Sequence, residues 1–203
     1  MRLSMRFNSY GLLFFTLFIH DVLTAHDMPK QIEQQNLTAK KESSIMISFT
    51  EQQSVNSWRI TNDGVMGGRS AGSFVIKQDK GIFFGDISLD NNGGFSSVFK
   101  EIEPLVENLK TVTIDVEGDG LTYQLRMVVN LNGYRLAYKH NVETVAGQRD
   151  KLTFTLADFQ ASFRGRSIDN APILKSEDIR EVGFLVTRKT AGAFSLSVFS
   201  LNL

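Results

Sequence analysis

LTYQLRMVVNLNGYRLAYKH, residues 121–140, reads as two strands and the turn between them. Leu121, Tyr123, Leu125, Met127, Val129 and Leu131 fall on one side of an extended chain, with Thr122, Gln124, Arg126 and Asn130 on the other. Strand side chains alternate between two faces, so this period of two marks a strand that is apolar on one face and polar on the other. Asn132-Gly133 is a dipeptide favoured in two-residue hairpin turns, where both central residues need positive φ. Tyr134, Leu136 and Tyr138 then resume the alternation.

The same signal extends in both directions. Val112, Ile114 and Val116 alternate with Thr111, Thr113 and Asp115. Further strands read from SFVIKQ (73–78), GIFFGDISL (81–89), GGFSSVFKEI (93–102), KLTFTL (151–156), EVGFLVT (181–187) and AFSLSVFSLNL (193–203). In the last of these, Phe194, Leu196 and Val198 hold one phase while Phe199, Leu201 and Leu203 hold the other. A β-bulge, or a strand passing between sheets, gives that slip. Helix is scarce, with one turn expected at residues 104–109 and one at 176–180. About nine short strands predict an all-β fold over residues 44–203, an antiparallel sandwich or jelly roll.

The 203 residues carry 22 basic and 22 acidic side chains, so nothing in the charge suggests nucleic acid or an anionic membrane as a partner. Cysteine is absent, which excludes disulfides, thiol catalysis and cysteine-held metals. Arg2 and Arg6 precede the apolar run GLLFFTLFI (11–19), and Leu23-Thr24-Ala25 ends the segment with small residues. The run is about half of the roughly 20 residues a membrane helix needs, so no stable span is expected. Residues 1–25 therefore read as a signal peptide, and the product as periplasmic or secreted; a mitochondrial presequence is the alternative. Residues 26–43 form a polar leader containing the glycosylation sequon at Asn36.

Chemistry is concentrated in glycine-rich corners. NDGVMGGRS (62–70) lacks the lysine ending of a phosphate loop and the alternating oxygen ligands of a calcium loop. It reads as a turn held by Asn62 and Asp63, as does NNGGFSS (91–97). Arg164 and Arg166 around Gly165 suit either a grip on a carboxylate or phosphate or an exposed loop. Arg126, on the polar face of its strand, is either a solvated charge or part of a binding surface. No catalytic or metal-ligating set is predicted, and no cofactor. His140 is the single histidine after the leader and lies on an apolar face, while Asp119 is explained by its turn, Gly118-Asp119-Gly120.

Several of these segments recur in order in a known family. Trp58, then NDGVMGGRS and NGGFSS (92–97), resemble the opening of the complex I intermediate-associated protein 30 domain. Gly118-Asp119-Gly120 with Tyr123 and Arg126, Leu156-Ala157-Asp158-Phe159, Phe163-Arg164-Gly165-Arg166, Gly183, and Gly192-Ala193-Phe194 continue the likeness. The chain departs from the pattern at residues 147–150, where a tryptophan is expected, and at Arg188-Lys189, where the family has an aspartate-lysine pair. The resemblance implies a galactose-binding-like jelly-roll sandwich and a non-catalytic module that binds a protein partner. Mitochondrial members act in this way as assembly factors for respiratory complex I. An exported carbohydrate-binding module is the alternative, and a hydrolase using Asp63 and Asp119 ranks third. Under either binding reading the expected polar lining is Asn62, Asp63, Arg69, Asn92, Arg126, Arg164 and Arg166. Trp58, Gly67, Gly68, Gly93, Gly94 and Phe95 are expected to be structural.

Overall fold

Thirteen strand segments pair into two antiparallel sheets in the computed structural model, which describes residues 45–50, 55–131 and 133–203. The expected signal peptide, the leader with Asn36, and Asn132 of the hairpin turn lie outside the described residues. In chain order the strands are β1 (Met46–Ser48), β2 (Trp58–Asn62), β3 (Ala71–Lys77), β4 (Lys80–Ile87), β5 (Phe95–Glu101), β6 (Thr111–Glu117) and β7 (Thr122–Leu131). There follow β8 (Tyr134–Glu143), β9 (Arg149–Thr155), β10 (Gln160–Phe163), β11 (Arg166–Ser167), β12 (Ile179–Thr187) and β13 (Gly192–Asn202).

One sheet runs β3-β4-β13-β6-β9, with β1 also paired to β13; the other runs β11-β10-β8-β7-β12-β5-β2. The hairpin of residues 121–140 forms as read, with β7 and β8 paired from Thr122↔Glu143 to Leu131↔Tyr134 and Gly133 at φ +81°. Tyr123, Leu125 and Met127 are fully buried and meet Phe83, Ile114, Leu196 and Leu201 from the opposite sheet in one core. Burying these faces removes apolar surface from water, the main force holding the two layers together. Trp58 belongs to the same core, its ring 4.7 Å from Phe74 and 5.6 Å from Phe49.

The phase slip in β13 is a bulge. Its register against β6 shifts between Val198 and Ser200, and the shift lets Leu196, Val198, Leu201 and Leu203 all face inward. Phe199, at the bulge, turns away from that set and lies under the Arg149 guanidinium, 3.6 Å from the ring centroid.

Two expectations need correction. Strands β1, β2, β10 and β11 add to the nine read from the sequence, because each is too short to show alternation. The helical turn expected at residues 104–109 does not form. Ser176 Oγ donates to Val106 O (2.7 Å) and accepts from Leu109 N–H (3.2 Å), taking the backbone groups a helical turn would use, while Leu105 is buried and Asn108 adopts φ +63°. The other expected turn is a 3-10 turn at Ser176–Asp178.

Candidate functional site

Asp63 follows β2 at the start of a 3-10 turn, Asp63–Met66, and its side chain has no exposed surface. Its carboxylate accepts from Ser70 N–H (2.8 Å), Ser70 Oγ (2.5 Å), Gly94 N–H (2.6 Å) and Phe95 N–H (3.3 Å). Both glycine corners therefore close over one buried carboxylate. Gly68 and Gly93 permit the approach, since a Cβ on either would stand 2.4 Å and 2.6 Å, respectively, from atoms of Asp63. Gly67 (φ +90°) and Gly94 (φ +132°) supply the left-handed backbone at the turns. Asn62 Oδ1 completes the seam, accepting from Gly72 N–H (3.1 Å) and Ser96 Oγ (2.6 Å). Asp63 and Asn62 thus act inside the corner, with their acceptor atoms turned to the chain's own donors.

Burial alone would raise the Asp63 pKa. The Ser70 hydroxyl and the N–H groups of Gly94, Ser70 and Phe95 outweigh it and hold the carboxyl below its ordinary value of 3.8. A group whose folded pKa is depressed adds stability that is complete above its unfolded pKa and fades as pH falls toward the folded value. The melting temperature is therefore expected to stay level above about pH 5 and to fall between about pH 4 and 3. Asp63→Asn should flatten that slope. A wild-type melting temperature that does not change over this range would contradict the assignment.

The remaining expected lining residues do not converge. Arg69 and Asn92 sit at the corner and are exposed, Arg69 3.7 Å from Asp90. Arg164 and Gly165 form the two-residue turn of the β10–β11 hairpin, at φ +49° and +80°, with the Arg164 guanidinium 5.4 Å from the Phe163 ring centroid; Arg166 follows on β11. Strands β2 and β11 are opposite edges of the seven-stranded sheet, roughly 29 Å apart at about 4.8 Å per strand. Arg126 lies between them on β7, facing away from the core.

That outer face carries a set of residues the sequence did not single out. Glu181 on β12 accepts a bidentate pair from Arg135 (2.7 and 2.8 Å) and a third bond from Arg59 (2.6 Å). The Arg135 and Arg59 guanidinium carbons stand 4.7 Å and 5.8 Å from the centroid of the Phe99 ring. Phe99 lies over Gly183, where a Cβ would be 2.7 Å from the ring. Burial opposes ionisation of Glu181, but the two arginines prevail and keep its pKa below the ordinary 4.5. Arg126 differs: Nε (3.1 Å) and Nη2 (2.7 Å) both donate to Gln124 Oε1, and no carboxylate meets it among the described residues. Burial and the charge of Arg135 push its pKa down to about 10.

His140 packs on Phe154 and Phe159, with Nδ1 2.8 Å from Asn141 O. Asp119 accepts from Leu121 N–H, Tyr123 OH and Ser195 N–H, fixing the turn between β6 and β7 against β13.

The family model described as Complex I intermediate-associated protein 30 matches residues 47–198. No curated protein matches the chain by sequence. Among solved structures, the chain is similar to the family 11 carbohydrate-binding module of the cellulosomal cellulase Lic26A-Cel5E of Clostridium thermocellum, with a TM-score of 0.59 and 10% identity, over 79% of this chain and 94% of that one. It is similar as well to a family 11 module from Clostridium thermocellum in complex with a β-1,3-1,4-mixed-linked tetrasaccharide, with a TM-score of 0.56 and 11% identity, over 79% and 96%. At such identity the likeness shows the fold alone: a galactose-binding-like jelly-roll sandwich.

Proposed function

Because the chain belongs to the complex I intermediate-associated protein 30 family, we propose that it is a non-catalytic binding module that recognises a protein partner in the manner of an assembly factor, through the outer face of its seven-stranded sheet. One observation carries the choice of face: Arg126, a half-buried cation at its centre, has no carboxylate partner among the described residues. The glycine corners support the reading from the other side, since Asn62 and Asp63 are engaged by the chain's own donors. A glycan is the second reading, supported by the fold shared with carbohydrate-binding modules. Against it, the one aromatic ring at the centre of this face, Phe99, is 5% exposed and flanked by two guanidinium groups, which leaves little flat surface for a sugar ring.

Affinity capture from membrane and soluble fractions, run beside a glycan array, tests the proposal. Reproducible capture of respiratory-chain subunits is the expected result. A glycan hit without protein partners would favour the second reading, and turnover of a glycoside or ester by the purified protein would overturn both. We also propose export, supported by the charged, apolar and small-residue order of residues 1–25. N-terminal sequencing of the protein in the same fractions should then begin at or beside His26; intact chain in the cytosol would refute it.

A further inference from the structure

We propose that Arg126 is the receptor for a carboxylate carried by an acidic segment of the protein partner. This deepens the reading of the outer sheet face as a partner-binding surface and rests on it.

Charged side chains that give up water are normally matched by a counter-charge or by full hydrogen bonding. Arg59, Arg135 and Arg149 obey this. Arg59 and Arg135 share Glu181, and Arg149 holds Asp115 through two bonds of 2.7 and 2.8 Å. Arg126 is half-buried, and the charge that bears on it is the repelling guanidinium of Arg135. Gln124 takes Nε–H and one Nη2–H, which fixes the plane of the fork and leaves Nη1 with no acceptor among the described residues. A planar guanidinium with free, oriented donors matches a carboxylate better than any other common group.

The register decides what surrounds it. Across the sheet, Arg126 pairs with Gly183 on β12 and Lys139 on β8, so all three positions share the outer face. On one flank the Phe99 ring lies over Gly183, and on the other Lys139 offers a second cation, so a carboxylate reaches Arg126 from the Lys139 side. Glu181 is already gripped by two arginines and its cross-strand neighbour Glu101 lies farther toward the end of the sheet, so a carboxylate arriving at Arg126, with Lys139 beside it, meets net positive charge. The class of partner follows from the same row. An acidic saccharide would be held partly by stacking on an exposed ring, and Phe99 is covered; an extended acidic peptide needs only the cations.

The test titrates the isotope-labelled full chain with hexaglutamate, hexaglutamine and trigalacturonate, following the Arg126 Nε–H signal and the Gly183 and Lys139 amides. Hexaglutamate should shift all three signals and hexaglutamine none. Arg126→Gln should weaken hexaglutamate at least about tenfold with little change in melting temperature, and Arg126→Lys should recover part of the loss. No shift on this face with hexaglutamate, or equal binding by Arg126→Gln, overturns the proposal. Shifts with trigalacturonate and none with hexaglutamate overturn the peptide assignment in favour of an acidic sugar. The broader reading fails separately. Capture of a respiratory-chain partner that survives Arg126→Gln would overturn this inference and keep the binding module. Hexaglutamate bound at Arg126 by a chain that captures no partner would keep the site and overturn the assembly role.

Discussion

Asp63→Ala is expected to destabilise the protein by about 4 kcal/mol, a large part of the roughly 5–15 kcal/mol that holds a typical domain folded. The substitution leaves Ser70 N–H and Gly94 N–H without their acceptor in a buried site and leaves Ser70 Oγ only its longer bond to Ser88 O, 3.2 Å. Chemical denaturation followed by circular dichroism measures the loss. Gly68→Ala should be nearly as damaging alone, because its Cβ would overlap Asp63 Cγ at 2.4 Å and the carboxylate cannot retreat without breaking its bonds. In the Asp63→Ala background the two nearest atoms, Cγ and Oδ1, are gone and the residue 63 Cβ remains at 2.8 Å, so Gly68→Ala should add less than it does in the wild type. Additive effects of the two changes would show that the corners are not organised around Asp63.

Gly183→Ala is expected to cost about 3 kcal/mol for a different reason. A Cβ at residue 183 would stand 2.0 Å from Val98 O, in the backbone of the neighbouring strand β5, and 2.7 Å from the Phe99 ring. Trimming the ring with Phe99→Ala removes the second clash and leaves the first, so it should not rescue the variant. Rescue would mean that the ring alone, not the spacing of the two strands, requires glycine. A clash with a side chain is eased by trimming that side chain, whereas a clash with main chain is not.

The fold was legible wherever strands were long enough to repeat their pattern. Residues 121–140 specify a hairpin by themselves, and the phase slip in β13 pointed to a bulge or a change of sheet, of which the bulge forms, at Phe199. Short segments such as WRITN in β2 and QASF in β10 hold too few residues to declare a period, and pairing with neighbours makes them strands. The β3–β4 turn escaped for another reason. Gln78 and Asp79 take φ +53° and +55° there, the left-handed backbone that Asn-Gly would have advertised. The glycine corners were readable as structural, although their shared dependence on Asp63 required partners up to 32 residues away. The outer face was the least legible part. Arg59, Phe99, Arg135 and Glu181 lie on four different strands, β2, β5, β8 and β12, and no local spacing links them. Arg126 could be placed on the polar face, but its lack of a counter-charge is a property of the assembled sheet.

The place of β13 carries a consequence for when this protein can fold. It is the last strand in chain order, yet it lies inside the six-stranded sheet, bonded to β4, β6 and β1, and its partner β1 is the first. Until residues 192–202 emerge from the ribosome, β3-β4 and β6-β9 are separate two-stranded pairs with open edges, and half of the core has no lid. Contacts between such distant parts of a chain form slowly, because the entropy of closing the long loop must be overcome before pairing rewards it. The nascent chain therefore passes through synthesis with apolar strands exposed, the condition in which chains aggregate and holding chaperones bind.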